Sequence, residues 1–155
     1  MTHDWYSDAY EACRAIADRT AIPTDTVIGI VAALSPRMRW SENLRQAELV
    51  CTTGDATHGL PDARMKARAI LAGAPPLTIL RGKKVRAFYR AICGDKNAVV
   101  IDTWILRSFR FHTNKPTPRQ YDRLAARIRR RAKRLGVTPR ELQAAIWVQI
   151  RGGAE

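Results

Sequence analysis

Acidic residues are scarce in this chain of 155: fourteen Asp and Glu stand against twenty-seven Lys and Arg, a formal charge of +13. The imbalance points to a polyanionic partner, nucleic acid first, with a solvated basic surface as the alternative. Cysteine is scarcer still. Cys13, Cys51 and Cys93 lie far apart, are odd in number and form no C-x-x-C pair. That argues against a zinc site, a cysteine-ligated cluster and a secreted disulfide scaffold, and makes a reducing, cytoplasmic setting the expectation. The three histidines, His3, His58 and His112, share no ligand spacing, so no metal and no cofactor is expected. No apolar run reaches the roughly eighteen residues of a membrane span. The opening MTHDWYSDAYEACR is polar and helical in pattern, so no signal peptide is expected either.

Linkers, repeats and low-complexity tracts are also missing, and strand-like alternation is nearly so. With 46% hydrophobic and 26% charged residues, the chain has the composition of an ordinary globule and is expected to form one domain over 1–155.

What remains is helical periodicity almost throughout. Tyr6, Tyr10, Cys13, Ile16 and Ala17 recur at three- and four-residue steps and predict an amphipathic first helix. After Pro23, TDTVIGIVAALS is apolar on nearly every side, which places it in the middle of a core and closes it at Ser35-Pro36. SENLRQAELVCTTG follows, with Ser41 as N-cap and Gly54 past its end. PDARMKARAILAG runs from Pro61 to a stop at Gly73, a short PLTIL segment leads to Gly82, and KKVRAFYRAICG ends at Gly94.

Thr117-Pro118-Arg119-Gln120 and Thr138-Pro139-Arg140-Glu141 each place a threonine cap, a proline in the first turn and a capping-box partner three residues on. The first opens a helix whose Tyr121, Leu124, Ala125, Ile128, Ala132 and Leu135 form a stripe for burial. Its other face carries Arg123, Arg127, Arg130, Arg131 and Arg134. These arginines are either a solvated face or a row of phosphate contacts. The pattern predicts an all-α, compact helical domain of about eight helices.

One stretch interrupts it. AVVIDTW (98–104) runs hydrocarbon straight into a carboxylate. An acid drawn towards the interior is costly unless something pairs with it or uses it. Asp102 is therefore either the N-cap of the helix TWILRSF or a functional acid.

The order of parts decides what to look for. An apolar helix ends in LSPRMRWSEN, a helix containing MKARAIL leads to L-R-G-K-K, and Asp102 stands eighteen residues beyond Lys84 in V-I-D-T-W-I-L-R. Over residues 24–151 this resembles the helix-hairpin-helix DNA glycosylase superfamily, the endonuclease III-like proteins. Their hairpin reads L-P-G-V-G-x-K, and their catalytic acid follows its lysine at the same spacing in V-D-T-H-[IV]-x-R. The chain differs in four respects. Its hairpin is two residues shorter and keeps only Gly82, Trp104 replaces the usual histidine, the four-cysteine loop is absent, and much of the second domain is missing.

The resemblance implies a helix-hairpin-helix element around Arg81, Gly82 and Lys83 that meets DNA phosphate, with Lys84 as the Schiff-base lysine and Asp102 as the catalytic acid. It implies an enzyme, monomeric and without cofactor, that flips a base out of duplex DNA and cleaves its N-glycosidic bond in base excision, with AP-lyase activity through Lys84. Thr103 and Arg107 match the residues after the family's acid. Lys83 is the rival for the role of Lys84, and Lys84 could instead contact phosphate. Arg37, Arg39 and Trp40 of the SPRMRW loop are candidates to fill the vacated stack, or in the case of Trp40 to stack on the extruded base. Arg127, Arg130 and Arg131 join them as DNA contacts. The competing expectations are a non-catalytic DNA-binding protein on the same scaffold (a repressor, a recombination accessory factor or a modified-base reader) and a base-modifying enzyme that does not excise.

Overall fold

The structure, a computed structural model, describes residues 4–152; His3 and the outermost residues of the expected 1–155 domain lie outside them. Among the described residues there are nine helices and no strand, so the fold is all-α.

The apolar helix α2 (Thr24–Leu34) is the axis of the molecule: every residue from Val27 to Leu34 is buried. It is surrounded by α1 (Trp5–Thr20), α3 (Trp40–Thr53), α4 (Pro61–Leu71) and α6 (Lys83–Cys93). Gly29 lets the short α5 (Pro76–Ile79) approach this axis, because a Cβ there would lie 2.8 Å from Pro76 Cγ. The PLTIL segment is thus a single helical turn followed by buried Leu80.

Two sequence readings need correction here. α3 begins at Trp40, not after a Ser41 cap. Arg39 occupies the N-cap position and makes no side-chain capping bond. Trp40 packs on Trp5 with ring centroids 4.9 Å apart, and burial of an indole outweighs a cap worth about 1 kcal/mol. Tyr10 and Leu135 are also exposed rather than buried. Leu135 is the last residue of α8 (Pro118–Leu135), where the chain turns away at Gly136.

The Thr117 capping box forms in full: Thr117 Oγ1 accepts from Gln120 N–H and Gln120 Oε1 accepts from Thr117 N–H. Thr138 opens α9 (Pro139–Arg151) with only half of the motif, accepting from Glu141 N–H.

Buried side chains form two clusters. The larger joins α1 to α4 with α6; the smaller joins α7 (Thr103–Ser108) with α8. Residues 98–101 belong to neither helix nor strand and run between the two. Ala98 and Val100 enter the larger cluster, while Val99 and Ile101 enter the smaller. Alternation of this kind is the side-chain geometry of an extended chain with apolar surroundings on both sides. With no neighbouring strand, its backbone groups need other partners. Tyr121 supplies two of them: its hydroxyl donates to Val99 O at 2.7 Å and accepts from Ile101 N–H at 3.2 Å. The buried arm ends at Asp102, on the seam between the clusters.

The closing helix α9 crosses the same seam. Ala144 packs in the larger cluster, and Leu142, Ile146 and Trp147 pack against the smaller. Its buried Arg140 donates to Ala91 O at 2.9 Å and pairs with Asp4 at 2.7 Å, tying both ends of the described chain together.

Candidate active cleft

Asp102 has extended backbone torsions and caps α7, its Oδ1 accepting from Ile105 N–H at 2.9 Å. Its Oδ2 accepts from the Trp147 indole N–H at 2.7 Å. Both oxygens are held, one by the helix the acid opens and one by α9. The side chain remains half-buried and borders a cleft of about 340 Å³ between the two clusters.

Lys84, in the first turn of α6, lines the same cleft and has no ion pair or hydrogen bond among the described residues. Arg37, Arg39 and Trp40 line it from the loop and helix start after α2. The chain reaches them through Arg37 in a left-handed conformation, φ 57°. Trp104 lines the cleft as well and is 37% exposed, so it stands beside Asp102 without sealing it.

The remaining sequence candidates lie elsewhere. Gly82 and Lys83 border a neighbouring hollow of about 360 Å³ that Lys84 and Asp102 also reach. Gly82 has φ 82°, which only glycine adopts without strain, so the turn before α6 depends on it. Lys83 is paired with Asp122 at 3.0 Å, which separates it from its neighbour Lys84 in availability. Arg81 is exposed at a third hollow near Lys66. The Arg107 guanidinium lies 5.4 Å from the centre of the Trp104 ring, just outside the cleft. Arg127 rests over Phe109 at 5.0 Å, and Arg130 and Arg131 are exposed on the outer face of α8.

The cleft also contains residues that sequence reading does not single out. Trp5 and Trp147 join Trp40 and Trp104, so that all four tryptophans of the chain line it. Trp5 is central to the aromatic wall, with centroids 5.4 Å from Trp147 and 6.2 Å from Phe88. Arg151 stacks over both Trp147, at 4.9 Å, and Trp104, at 5.7 Å. Beneath the wall, Tyr6 donates to Gln143 Oε1 at 2.6 Å. Burial, with the Asp102 charge second, pushes the Tyr6 phenol well above its usual range. The visible signal for Trp147 and Arg151 is their one-turn spacing; Trp5 carries none beyond its residue type.

Chemically, this is an aromatic-walled cleft with one fixed carboxylate and one unpaired lysine. Arg37, Arg39, Arg151 and Lys84 give its lining four cations against the single acid Asp102. Such walls stack planar π-systems, and such a rim attracts phosphate. No group of three or more His, Cys, Asp or Glu residues is placed to hold a metal ion among the described residues. No helix there is long and apolar enough to cross a membrane.

Fold and cleft together define an all-helical protein with a cationic, aromatic-walled cavity built around an acid. The chain belongs to DUF7178, a family of unknown function whose model matches residues 2–154. No curated protein and no solved structure matches it.

Proposed function

We propose that this protein is a DNA glycosylase-like enzyme: it binds duplex DNA as a monomer, receives one extrahelical base in the aromatic cleft and cleaves its N-glycosidic bond. The observation that carries the reading is that Asp102 and Lys84 line one cleft walled by the four tryptophans. The sequence resemblance assigns chemistry to the same two residues.

In this reading the Asp102 carboxylate faces the deoxyribose, where the departing base leaves positive charge on the sugar. A fixed anion stabilises that oxocarbenium character. The N–H groups of Ile105 and Trp147 keep the acid oriented without moving during the reaction. The Lys84 amine, once deprotonated, attacks C1′ as the C1′–N bond breaks and the electron pair leaves with the base. The C1′–O4′ bond then opens, O4′ taking a proton, to leave a Schiff base between C1′ and Lys84, which permits β-elimination of the 3′ phosphate, the AP-lyase step. If water takes the place of Lys84, the product is an intact abasic site. The Gly82 turn before α6 plays the part of the hairpin, and the arginines of α8 contact backbone phosphate. A cytoplasmic setting, on nucleoid or host-cell DNA, follows from the same reading.

The test is a panel of duplexes, each with a single damaged or modified base, incubated with protein and scored for nicking with and without alkali. Nicking by wild type that disappears in Asp102→Asn is expected. Binding to every duplex with no released base from any would overturn the enzymatic reading. The second reading, a non-catalytic modified-base reader, is favoured by the double engagement of Asp102, whose two oxygens already have donors. It predicts tight, base-selective binding and no chemistry.

A further inference from the structure

Asn43 is 2% exposed and lies in the wall of the aromatic cleft. Its Nδ2 donates to Val31 O at 3.0 Å. Val31 is in the last turn of α2, where carbonyls have no partner within the helix, so this bond satisfies one of them. The bond also fixes which way the amide points: the nitrogen faces α2, and Oδ1 is turned from it. That Oδ1 is buried and has no hydrogen-bond partner. A buried acceptor left unpaired costs roughly as much as a hydrogen bond gains, and such groups are rare without a reason.

A second amide borders the same cleft. Gln143, 3% exposed, accepts from Tyr6 through Oε1, which leaves its Nε2 as a donor with no partner among the described residues. Two buried amides of the cleft wall thus carry an unpaired acceptor and an unpaired donor beside indoles that meet one another tilted and edge-on. Stacking discriminates only the face of a ring; hydrogen-bonding groups are needed to discriminate its edge.

Building on the proposal that the cleft receives a base, we infer that Asn43 is a specificity residue: its Oδ1 accepts a hydrogen bond from an N–H at the edge of the stacked ring. The ligand class is a nucleobase with an exposed N–H donor, carrying its phosphate at the Arg37, Arg39 and Lys84 rim. Bases whose edge nitrogen is alkylated, or whose amino group is missing, leave Oδ1 unpaired and are rejected. Gln143 Nε2 complements it by donating to a neighbouring ring nitrogen or carbonyl.

Because every tryptophan lines the cleft, intrinsic fluorescence reports its occupancy directly. The experiment titrates wild type and Asn43→Ala with two ligand pairs: deoxyadenosine monophosphate against purine deoxyriboside monophosphate, and thymidine monophosphate against its N3-methyl derivative. Comparing ratios within each protein cancels any general loosening caused by loss of the Val31 bond. Wild type is expected to prefer the N–H-bearing member of at least one pair by roughly tenfold, and Asn43→Ala to bring that ratio to about one. Saturable quenching without preference, or a preference that survives in Asn43→Ala, overturns the role of Asn43 and leaves the base-accepting cleft standing. Absence of saturable quenching by all four ligands also overturns it. The enzymatic proposal fails separately, on the duplex panel, if no base is released.

Discussion

Trp147 donates its indole N–H to Asp102 across 2.7 Å, joining the last helix to the acid that the buried 98–101 arm delivers. That contact makes the orientation of the carboxylate a tertiary property. The local helix cap alone would hold only one of its oxygens.

The cap and the charge of Asp102 are separable. Asn is as good an N-cap as Asp, whereas Ala is worse by about 1 kcal/mol. Asp102→Asn keeps the cap but sets its –NH2 against the Trp147 N–H, so it is expected to unfold in urea about 1 kcal/mol earlier than wild type, and Asp102→Ala, which loses both bonds, about 2 kcal/mol earlier. Both are expected to lose base excision by at least about a hundredfold while DNA affinity changes little. Urea melts beside a nicking assay check this. Equal excision by Asp102→Asn and wild type would leave the acid as a cap only.

Trp147→Phe keeps the ring and removes the donor. Asp102 Oδ2 then loses its partner, at a cost of about 1 kcal/mol. Excision should fall because the acid can rotate, with the fall in turnover rather than in DNA binding. Single-turnover kinetics separate the two.

Lys84 and Lys83 are neighbours with different engagements, one free and one paired with Asp122. Borohydride trapping with abasic DNA should give a covalent adduct in wild type and in Lys83→Ala, and none in Lys84→Ala. An adduct that persists in Lys84→Ala would move the amine role to another lysine.

DNA affinity should fall steeply with salt, since each neutralised phosphate releases counterions. Replacing Arg127, Arg130 or Arg131 by Ala should weaken binding to all sequences alike and lower the slope of log affinity against log salt by about 1 each. A set of binding isotherms at several salt concentrations measures this. Affinity indifferent to salt would remove the DNA partner from consideration.

Acid should loosen the junction between the N-terminus and α9. Burial opposes ionisation of Asp4, but its bond from Ser7 and the Arg140 charge together hold its carboxyl below the usual value. A lowered folded-state value means that this contribution is present above the unfolded pKa near 4 and is lost as pH falls through the folded value. Stability should therefore drop from about pH 4 downward. Asp4→Asn, which keeps the cap on Tyr6, should flatten that limb and lower stability at neutral pH by stranding buried Arg140. Urea midpoints across the acid range provide the measurement.

Local signals carried most of the helices. The α2 segment is legible because nothing polar interrupts Val27–Leu34, and α8 because Thr117 and Gln120 satisfy each other within four residues. Ser41 misleads because a cap is a local preference, and the Trp5–Trp40 contact that overrides it joins two different helices. The arm at 98–101 is the one stretch whose residues look extended, but which core each side chain enters is hidden, because both of its faces are apolar and period-two alternation leaves no polar mark. Asp102 is visible through its apolar approach, and Lys84 only through the family resemblance. Trp5, Asn43, Gln143 and Trp147 are not, because they meet only when α1, α3 and α9 come together around the cleft.

The arm between the two cores behaves as a reading frame. Side chains at 98–101 go alternately to one core and the other. Removing a single residue from it would send the side chains on one side of the gap to the wrong core, as a one-step slip does in a sheet. Shortening by one residue should therefore damage the protein more than replacing any one valine there, and insertions should be tolerated only in pairs.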